Sequence, residues 1–396
     1  MPTLTKQAYV SNGSVKKGLA RLKTVKQPAK PAGPLWLGPM NEGPLGGITQ
    51  SVIASWFVDK ERCRLRMIEG LKEEDKFNHR LEYGHMFHLC EEHLAAGKPY
   101  EQALLNYAKG LVAKYGNAAS GEINKWYSVC AVQFPHYVNF WRKNKDVKKR
   151  IPVEQEQVFH VPYKLPSGRT VWLRGKRDNV DIIDKQVFIG EHKTKSEVDP
   201  EQLLQLLRLD LQSNFYMTSA LIDPVLKAKI KNLPIVGVRY NTVIRPLSGG
   251  KHSISQRKGM GKAKKGAETE EQFYARLGEL IRDNGDFFFK KWNIVMHPNE
   301  IGKFQCDCLD PVLENICDDY EWWTYCFVMD ICPFHFNIRQ EKFPNHLNRH
   351  YIVPFGIYSP LFEGRGTSLD DYILSNGRDE KGLIRTTELF TELGNE

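Results

Sequence analysis

The stretch that decides the fold is residues 171–194, VWLRGKRDNVDIIDKQVFIGEHKT. β-Branched and apolar residues fill 171–183 and 187–194, which predicts two strands, and the Asp184-Lys185 pair between them predicts a tight turn. In a hairpin with this turn, position 178 lies directly opposite position 191. Because side chains alternate along a strand, Glu191 and Lys193 share one face. A register shift of one residue would remove this arrangement.

Asp178 and Glu191 are therefore predicted neighbours on adjacent strands. Opposed carboxylates, with Cβ atoms roughly 4.5–5.5 Å apart, repel each other, and a divalent cation between them relieves the repulsion. Oxygen ligands and a phosphate substrate favour Mg²⁺ or Mn²⁺, and Lys193 would stabilise charge on the phosphate or help to generate hydroxide. The alternative is an exposed hairpin whose charges only form salt bridges.

Helices and further strands are predicted around this hairpin. Apolar residues recur at steps of three to four between residues 49 and 140, which indicates a helical segment, and strand patterns begin at Gln157. After the hairpin, we expect the following elements: a helix from its N-cap at Asp199 to about Ile222, a strand at Leu233–Ile244, a helix at Thr269–Arg282 and a strand at Phe287–Val295. The order predicts an α/β fold with a central mixed sheet of four or five strands flanked by helices.

Composition divides the chain into three predicted parts. Residues 1–45 are rich in Lys, Pro and Gly, which is typical of a flexible basic arm. Residues 46–300 form the predicted core, with folding expected to begin near Ile48 and with a mobile basic loop at 245–267. Residues 301–396 form a Cys-rich C-terminal appendage, in which five of the eight cysteines lie.

The net charge of +9 is unevenly distributed along the chain. Seven Lys/Arg precede the first acidic residue, Glu42, and the segment 251–265 has six Lys/Arg and no acid. Both stretches suit polyanion binding, with Lys258, Lys262, Lys264 and Lys265 as candidate contacts, although such runs can also be merely solvated. There is no run of about 18 apolar residues, so we expect a soluble protein.

Three motifs now occur in order: Gly175-Lys-Arg-Asp178, Glu191-His-Lys193-Thr194 and Gln212-Ser-Asn-Phe-Tyr216. They resemble the GxxD, ExKT and QxxxY motifs of the RecB-like and Cas4-like branch of the PD-(D/E)XK nucleases. The resemblance implies a restriction-endonuclease-like core that hydrolyses DNA with a carboxylate-bound Mg²⁺ or Mn²⁺.

The resemblance also extends to residues on the neighbouring helices. It places Gln212 and Tyr216 at the active site, and Arg208, one helical turn before Gln212, would extend their row toward phosphates. Alternatively, Tyr216 is a core aromatic residue and Gln212 a surface residue.

An earlier motif, Gly84-His85-Met-Phe-His88, resembles the GxxxH signature of the same branch. This likeness makes His88 a metal ligand beside Asp178 and Glu191. Glu92, one turn later, would orient the imidazole. Without the resemblance, a histidine on a helix is more often structural.

The cysteines suggest a reducing compartment, where thiols are not paired in disulfides. Several relatives in this branch hold a 4Fe–4S cluster with one Cys before the nuclease motifs and three after them, which implies Cys63, Cys317, Cys326 and Cys332. The Cys326-x₅-Cys332 spacing matches, but position 323 is Trp where the pattern expects Cys. Zinc bound near Cys306 and Cys308, and buried free thiols, remain as alternatives.

The resemblance implies an exonuclease or DNA-end-processing enzyme of recombination, repair or phage DNA metabolism. It would act on single- or double-stranded DNA in the cytoplasm, which would be the host cytoplasm for a phage protein. The chain has no GxxxxGK[ST] motif, so a helicase, recombinase or single-strand-binding protein would be its partner. The alternatives are a sequence-specific restriction-like endonuclease and a non-catalytic DNA-binding subunit on the same fold.

Overall fold

The computed structural model describes residues 33–73, 76–143, 150–196, 198, 207–247, 252, 254, 258, 268–329 and 383–393. Within these ranges, five strands form one mixed sheet in the order β2-β3-β4-β5-β6. Their bounds are β2 Arg150–Lys164, β3 Thr170–Ile183, β4 Gln186–Lys195, β5 Ile235–Ile244 and β6 Phe289–Val295. Strands β4 and β5 run parallel, and the other neighbours run antiparallel. The predicted α/β architecture with its central mixed sheet is confirmed.

Helices cover both faces of this sheet. Those before the sheet are α1 Gln50–Val58, α2 Lys60–Met67, α3 His79–Ala95, α4 Tyr100–Tyr115 and α5 Asn117–Arg142. Those that follow β4 are α6 Leu211–Ile222, α7 Pro224–Lys229, α8 Glu270–Asp283, α9 Gly285–Phe288, α10 Pro298–Phe304 and α11 Asp310–Met329, the last preceded by a π-helical turn at Gln305–Leu309. Two short strands, β1 Leu71–Glu73 and β7 Leu383–Arg385, pair separately, and a 3₁₀ turn spans Thr391–Leu393. None of the helices in the described ranges combines the length and apolar character needed to cross a bilayer.

The β3–β4 hairpin has the predicted turn and register. Asp184 and Lys185 both have positive φ, 51° and 64°, as a two-residue type I′ turn requires. Asn179 therefore pairs with Gly190, and the same register places 178 opposite 191. A Cβ atom at Gly190 would overlap the Asn179 side-chain amide, so any other residue here would displace that side chain.

The two faces of the sheet pack into separate hydrophobic cores. One core joins α1, β3, α6 and α11 through residues such as Ile53, Val180, Phe215 and Trp322. The other joins α3, α4, α5 and α8 to β5 and β6 through residues such as Phe87, Phe134, Leu277 and Phe289. Because both faces are covered, the polar side chains of the strands either pair inside the protein or line a cleft.

The ordered core begins before the predicted boundary at residue 45. Trp36 is fully buried, and its indole N–H donates to the Gly47 carbonyl oxygen at 2.9 Å. Leu35 N–H donates to the carbonyl oxygen of Ile68 at 3.1 Å. One buried indole in a Pro/Gly-rich context carries no periodicity, which explains why the pattern predicted a flexible arm over these residues. The rest of that predicted arm, residues 1–32, lies outside the described part.

The described parts of the C-terminal region, residues 301–329 and 383–393, pack on the core. Leu313 and Trp322 of α11 belong to the same core as the sheet, and so does Phe390. Strand β7 pairs with β1 in antiparallel register. The cysteine-rich composition suggested a separate unit, but the apolar face of α11 is what holds this segment to the sheet.

The single helix predicted from Asp199 to Ile222 was wrong at its centre. Asp210 has extended backbone angles and caps α6, because its carboxylate accepts from Ser213 N–H at 2.9 Å. Aspartate competes well for such helix-start positions, which ends one helix and begins the next. The predicted start at Asp199 lies outside the described residues.

The predicted mobile loop at 245–267 is packed at its beginning. Arg245 is buried, and its backbone N–H donates to the Lys195 carbonyl oxygen at 2.8 Å. Leu247 and Ile254 pack against the second core. Lys262, Lys264 and Lys265 lie outside the described residues.

Candidate active site

Three carboxylates form a row across three adjacent strands. The paired register of β3 and β4 ends at Asn179 and Gly190, and its continuation by one residue places Asp178 opposite Glu191, as predicted. On its other side, the flanking pairs of β2 and β3 keep one register, so Glu156 falls opposite Asp178. Like charges on directly opposed positions destabilise a sheet unless a cation compensates them. The row is therefore a candidate cation site.

The clearest cation site within the row includes a histidine from α3. His88, Glu156 and Asp178 each offer one ligand atom, and these atoms lie within 4.8 Å of one another. Within the ranges that the structure describes, this is the one group of three or more His, Cys, Asp or Glu residues with such geometry. One imidazole nitrogen and two carboxylates fit a hard or borderline divalent cation. We call these three residues the ligand trio.

Glu156 was not predicted, although a local signal exists. In the structure its φ is 47°, which is unusual for a residue with a side chain, and strain of this kind clusters at functional sites, but the sequence does not show it. The Pro166-Ser-Gly168 segment is a turn signal between β2 and β3. A hairpin centred on that turn matches position 156 with 178, so the reasoning that paired 178 with 191 would have reached Glu156.

His88 lies among acidic groups, as a metal ligand would. Its Nδ1 is 3.6 Å from Glu156 Oε1. Burial alone would lower the pKa of His88, but Asp178 and Glu156 outweigh burial and raise it to about 9. Glu156, not Glu92, therefore contacts the imidazole; Glu92 is exposed and lines the same cavity.

Glu191 lies next to the ligand trio and is fully buried. Its Oε2 is 2.7 Å from Lys193 Nζ. Gln212 bridges the pair, because its Nε2 donates to Glu191 Oε1 at 3.0 Å and its Oε1 accepts from Lys193 Nζ at 2.7 Å. Burial raises the pKa of Glu191 to about 7, Asp178 adds to the increase, and Lys193 opposes it. The structure thus brings Glu191, Lys193 and Gln212 together beside Asp178.

Tyr216 packs over strand β3, one helical turn after Gln212. Its ring meets Phe159 edge-on with centroids 5.5 Å apart. A Cβ at Gly175 would lie 2.6 Å from the Phe159 ring and 3.1 Å from Tyr216, so the glycine of the GxxD motif makes room for both rings. Tyr216 is partly a core residue, and it also lines the cavity of about 490 Å³ that contains the ligand trio.

Lys176 adds a positive charge that the sequence did not indicate. Its Nζ is 2.6 Å from Glu156 Oε2, and it lines the same cavity. Burial would raise the pKa of Glu156, but its contacts with His88 and Lys176 outweigh burial and lower it.

A buried polar network supports the site from the opposite face of the sheet. Asp178 Oδ2 accepts from the backbone N–H of His192 at 2.7 Å. The His192 Nδ1 atom is 2.8 Å from Glu91 Oε2 and 2.9 Å from Asn241 Nδ2. Tyr137 donates to Glu91 Oε1 at 2.6 Å. This network holds β4, and with it the backbone contact that orients Asp178.

Arg208 does not extend the row of Gln212 and Tyr216, because Asp210 begins a new helix after it. Its side chain is 62% exposed and pairs with Glu300 at 3.6 Å. Lys258 is exposed, and its backbone N–H donates to Glu268 at 2.8 Å. A contact between the Lys258 ammonium and DNA stays a prediction.

The described cysteines do not have the geometry of the predicted 4Fe–4S site. Cys317 and Cys326 lie nine residues apart on α11, half a turn out of phase and separated by about 13.5 Å along the axis, so they face opposite sides. Both thiols are buried, as is that of Cys63. Burial raises the pKa of Cys63 and of Cys317 to about 12, which keeps these thiols protonated. Cys332 lies outside the described residues.

Cys306 and Cys308 lie on the π-helical turn, where Cys306 is exposed and Cys308 is half-buried. Zinc binding at these two thiols stays a prediction.

Comparison with known proteins agrees with this geometry. A family model described as the PD-(D/E)XK nuclease superfamily matches residues 61–333, which is more than half of the chain. The matched span contains the ligand trio together with Glu191, Lys193 and Gln212. A search among curated proteins finds no match. The chain therefore belongs to the PD-(D/E)XK nuclease superfamily, whose members are nucleases that use divalent metals.

Proposed function

We propose that the protein is a Mg²⁺-dependent deoxyribonuclease of the RecB-like and Cas4-like branch. It would act as an exonuclease or end-processing enzyme in recombination, repair or phage DNA metabolism. The observation that supports this proposal most is the row of Glu156, Asp178 and Glu191 across three strands, with Lys193 at one end and His88 beside it. Acids aligned in this way suit a cation that faces a phosphodiester.

The ligand trio would hold the cation, with Glu191 next to it. When bound, Mg²⁺ supplies positive charge opposite the phosphate and lowers the pKa of a water molecule. Asp178 is oriented for this role by the His192 backbone N–H. Glu156 is held between His88 and Lys176.

Lys193 would stabilise the charge that develops on the phosphate. Its ammonium is fixed between Glu191 and Gln212, so little reorganisation is needed when the substrate arrives. Gln212 acts as a positioning residue through both of its amide atoms. Tyr216 would close one wall of the cavity and exclude water from it.

Cleavage of end-labelled DNA tests this proposal. Linear single-stranded, linear duplex and closed circular DNA would be incubated with Mg²⁺, with Mn²⁺ and with EDTA. An exonuclease degrades the linear DNA and spares the circle, and Asp178→Asn should remove the activity. Discrete fragments from the circle would instead indicate a restriction-like endonuclease. Binding without cleavage under every metal condition would indicate a non-catalytic subunit.

A further inference from the structure

A row of polar residues extends along one face of α3 from His88 of the ligand trio toward the start of the helix. His88, His85 and Glu82 recur at three-residue steps and continue to the N-cap Asn78, so they form one stripe along the helix. His88 lines the active-site cavity, whereas Glu82 and Asn78 line a second cavity of about 1010 Å³ between α3 and α4. His85 and Tyr107 line both cavities, which makes the two cavities adjacent.

We call the second cavity the α3–α4 groove. Its lining includes Lys76, His79, His85, Tyr107, Lys114 and Tyr115.

The α3–α4 groove presents positive charge to solvent. Lys76 and Lys114 are exposed on its walls. Of the described residues that line it, Glu82 is the one carboxylate, and Glu82 is only 4% exposed. It accepts hydrogen bonds from Tyr107 at 2.7 Å and from Tyr115 at 2.9 Å. The acid is thus turned inward, while Lys76 is exposed and the Lys114 ammonium lies 4.9 Å from the centroid of the Tyr115 ring.

Aromatic rings line the same groove in fixed positions. The hydrogen bonds to Glu82 hold the rings of Tyr107 and Tyr115, and Phe77 packs edge-on against Tyr115 with centroids 5.8 Å apart. Proteins that bind single strands combine a positive groove with aromatic rings on which bases stack. A duplex hides its base faces in its own stack, so these rings favour an unpaired strand.

We propose that the α3–α4 groove binds a single strand of the nucleic acid substrate and guides it to the ligand trio. This inference rests on the proposed nuclease function. Between His79 and His88 the helix axis advances about 13.5 Å, which corresponds to roughly four nucleotides at 3.4 Å each. Lys76 and Lys114 therefore contact phosphates several nucleotides away from the bond that is cut.

Strand binding in EDTA tests the groove without any cleavage. Fluorescence anisotropy with a labelled oligothymidylate of about 20 nucleotides would compare wild type with the double variant Lys76→Ala/Lys114→Ala. Loss of two phosphate contacts should weaken binding about tenfold and reduce the slope of log affinity against log salt by about 1.4. Lys109→Ala is the matched control, because Lys109 is exposed on α4, the helix that carries Lys114, but does not line the groove. An unchanged salt slope in the double variant would overturn the proposal.

Two further measurements separate the groove from the catalytic site. Cleavage of a strand of about three nucleotides, too short to reach both lysines, should be the same in wild type and in the double variant. A blunt duplex that binds as tightly as the single strand, with an equal loss in the double variant, would overturn the preference for an unpaired strand. If wild type cleaves no DNA at all, the nuclease proposal fails, while the binding measurement still decides the groove.

Discussion

Strand β2 contributes Glu154 to one acidic cluster and Glu156 to another, the ligand trio. The two clusters differ in how their negative charge is compensated. Glu154 is buried and pairs with Arg177 at 3.0 Å and with Lys229 at 2.9 Å, and Arg177 also pairs with Asp223 at 2.5 Å. Both Glu154 and Asp223 therefore form ion pairs with basic side chains of the protein. We call it the Arg177 cluster.

The ligand trio faces a cavity, whereas the Arg177 cluster is closed. Across the row, Glu156, Asp178 and Glu191 stand next to one another on adjacent strands. Lys176 and Lys193 reach only the two ends of this row. An acid paired with an arginine inside the core is a structural feature, while acids aligned at an open cleft can bind a cation from solvent in addition to their lysine and histidine partners.

The largest effect is expected on the cleavage rate, with little change in the stability of the fold. Asp178→Asn and Glu191→Gln should each lower Mg²⁺-dependent cleavage by about 10³-fold or more, because each removes charge from the cation site. Neither should unfold the protein, since the substitution relieves repulsion between neighbouring carboxylates. Cleavage rates and thermal melting check both statements. A variant that keeps full activity would contradict the assignment of its residue to the site.

In the Arg177 cluster, by contrast, a substitution is expected to reduce the stability of the fold. Arg177→Ala should lower the free energy of unfolding by about 3–5 kcal/mol, because it leaves Glu154 and Asp223 buried without their partner. Urea denaturation measures this change. An unchanged denaturation midpoint would show that the Arg177 cluster is not a structural ion-pair site.

Metal should stabilise the protein through the ligand trio. At a Mg²⁺ concentration about 100 times its Kd, the free energy of unfolding should increase by about 2.7 kcal/mol. Glu156→Gln should remove most of this gain. Glu92→Gln is the control, because exposed Glu92 lines the same cavity outside the trio. Equal metal stabilisation in both variants would exclude Glu156 as a ligand.

Lys193 and Gln212 should act on the reaction more than on the metal. Lys193→Ala should reduce the cleavage rate about 100-fold, and Gln212→Ala less, because Gln212 acts only by holding the ammonium. Titration calorimetry with Mn²⁺ should show nearly unchanged affinity in both. A collapse of metal affinity in Lys193→Ala would give that lysine a structural role.

The smallest effect is expected at the cysteines. Cys317→Ser should cost about 1 kcal/mol of stability, as for a buried thiol that binds no metal, and not the several kcal/mol that a metal-held segment would lose. Anaerobically purified protein should contain no iron, because Cys317 and Cys326 face opposite sides of α11. Stoichiometric iron with broad visible absorption would contradict this prediction.

The central hairpin was predictable because its determinants are local. The turn at Asp184-Lys185 and the two-residue period of the strands specify which residues oppose each other, and the observed pairs from Asn179–Gly190 to Ile183–Gln186 keep that register. The spacing of Gln212 and Tyr216 likewise follows from helical geometry. The fold class followed from the order of these elements.

Competition between nearby residues decided other features. Asp210 caps a new helix where the pattern predicted a continuous one, so Arg208 points elsewhere. The phase of Cys317 and Cys326 became evident only once α11 was known to be a single helix. The sequence pattern shows which residues suit a helix. Whether a residue such as Asp210 continues that helix or caps a new one depends on the contacts around it.

By itself, the sequence determined the facing pair Asp178 and Glu191 and the neighbouring Lys193. Only the tertiary structure showed that His88 joins Glu156 and Asp178 in the ligand trio, and that a groove lies along the stripe on α3. These contacts join residues far apart in the chain, and packing of α3 across β2 and β4 brings them together. Local periodicity specifies which face of each helix or strand is apolar. The packing of those apolar faces into two cores on one sheet determines which helices and strands contact each other.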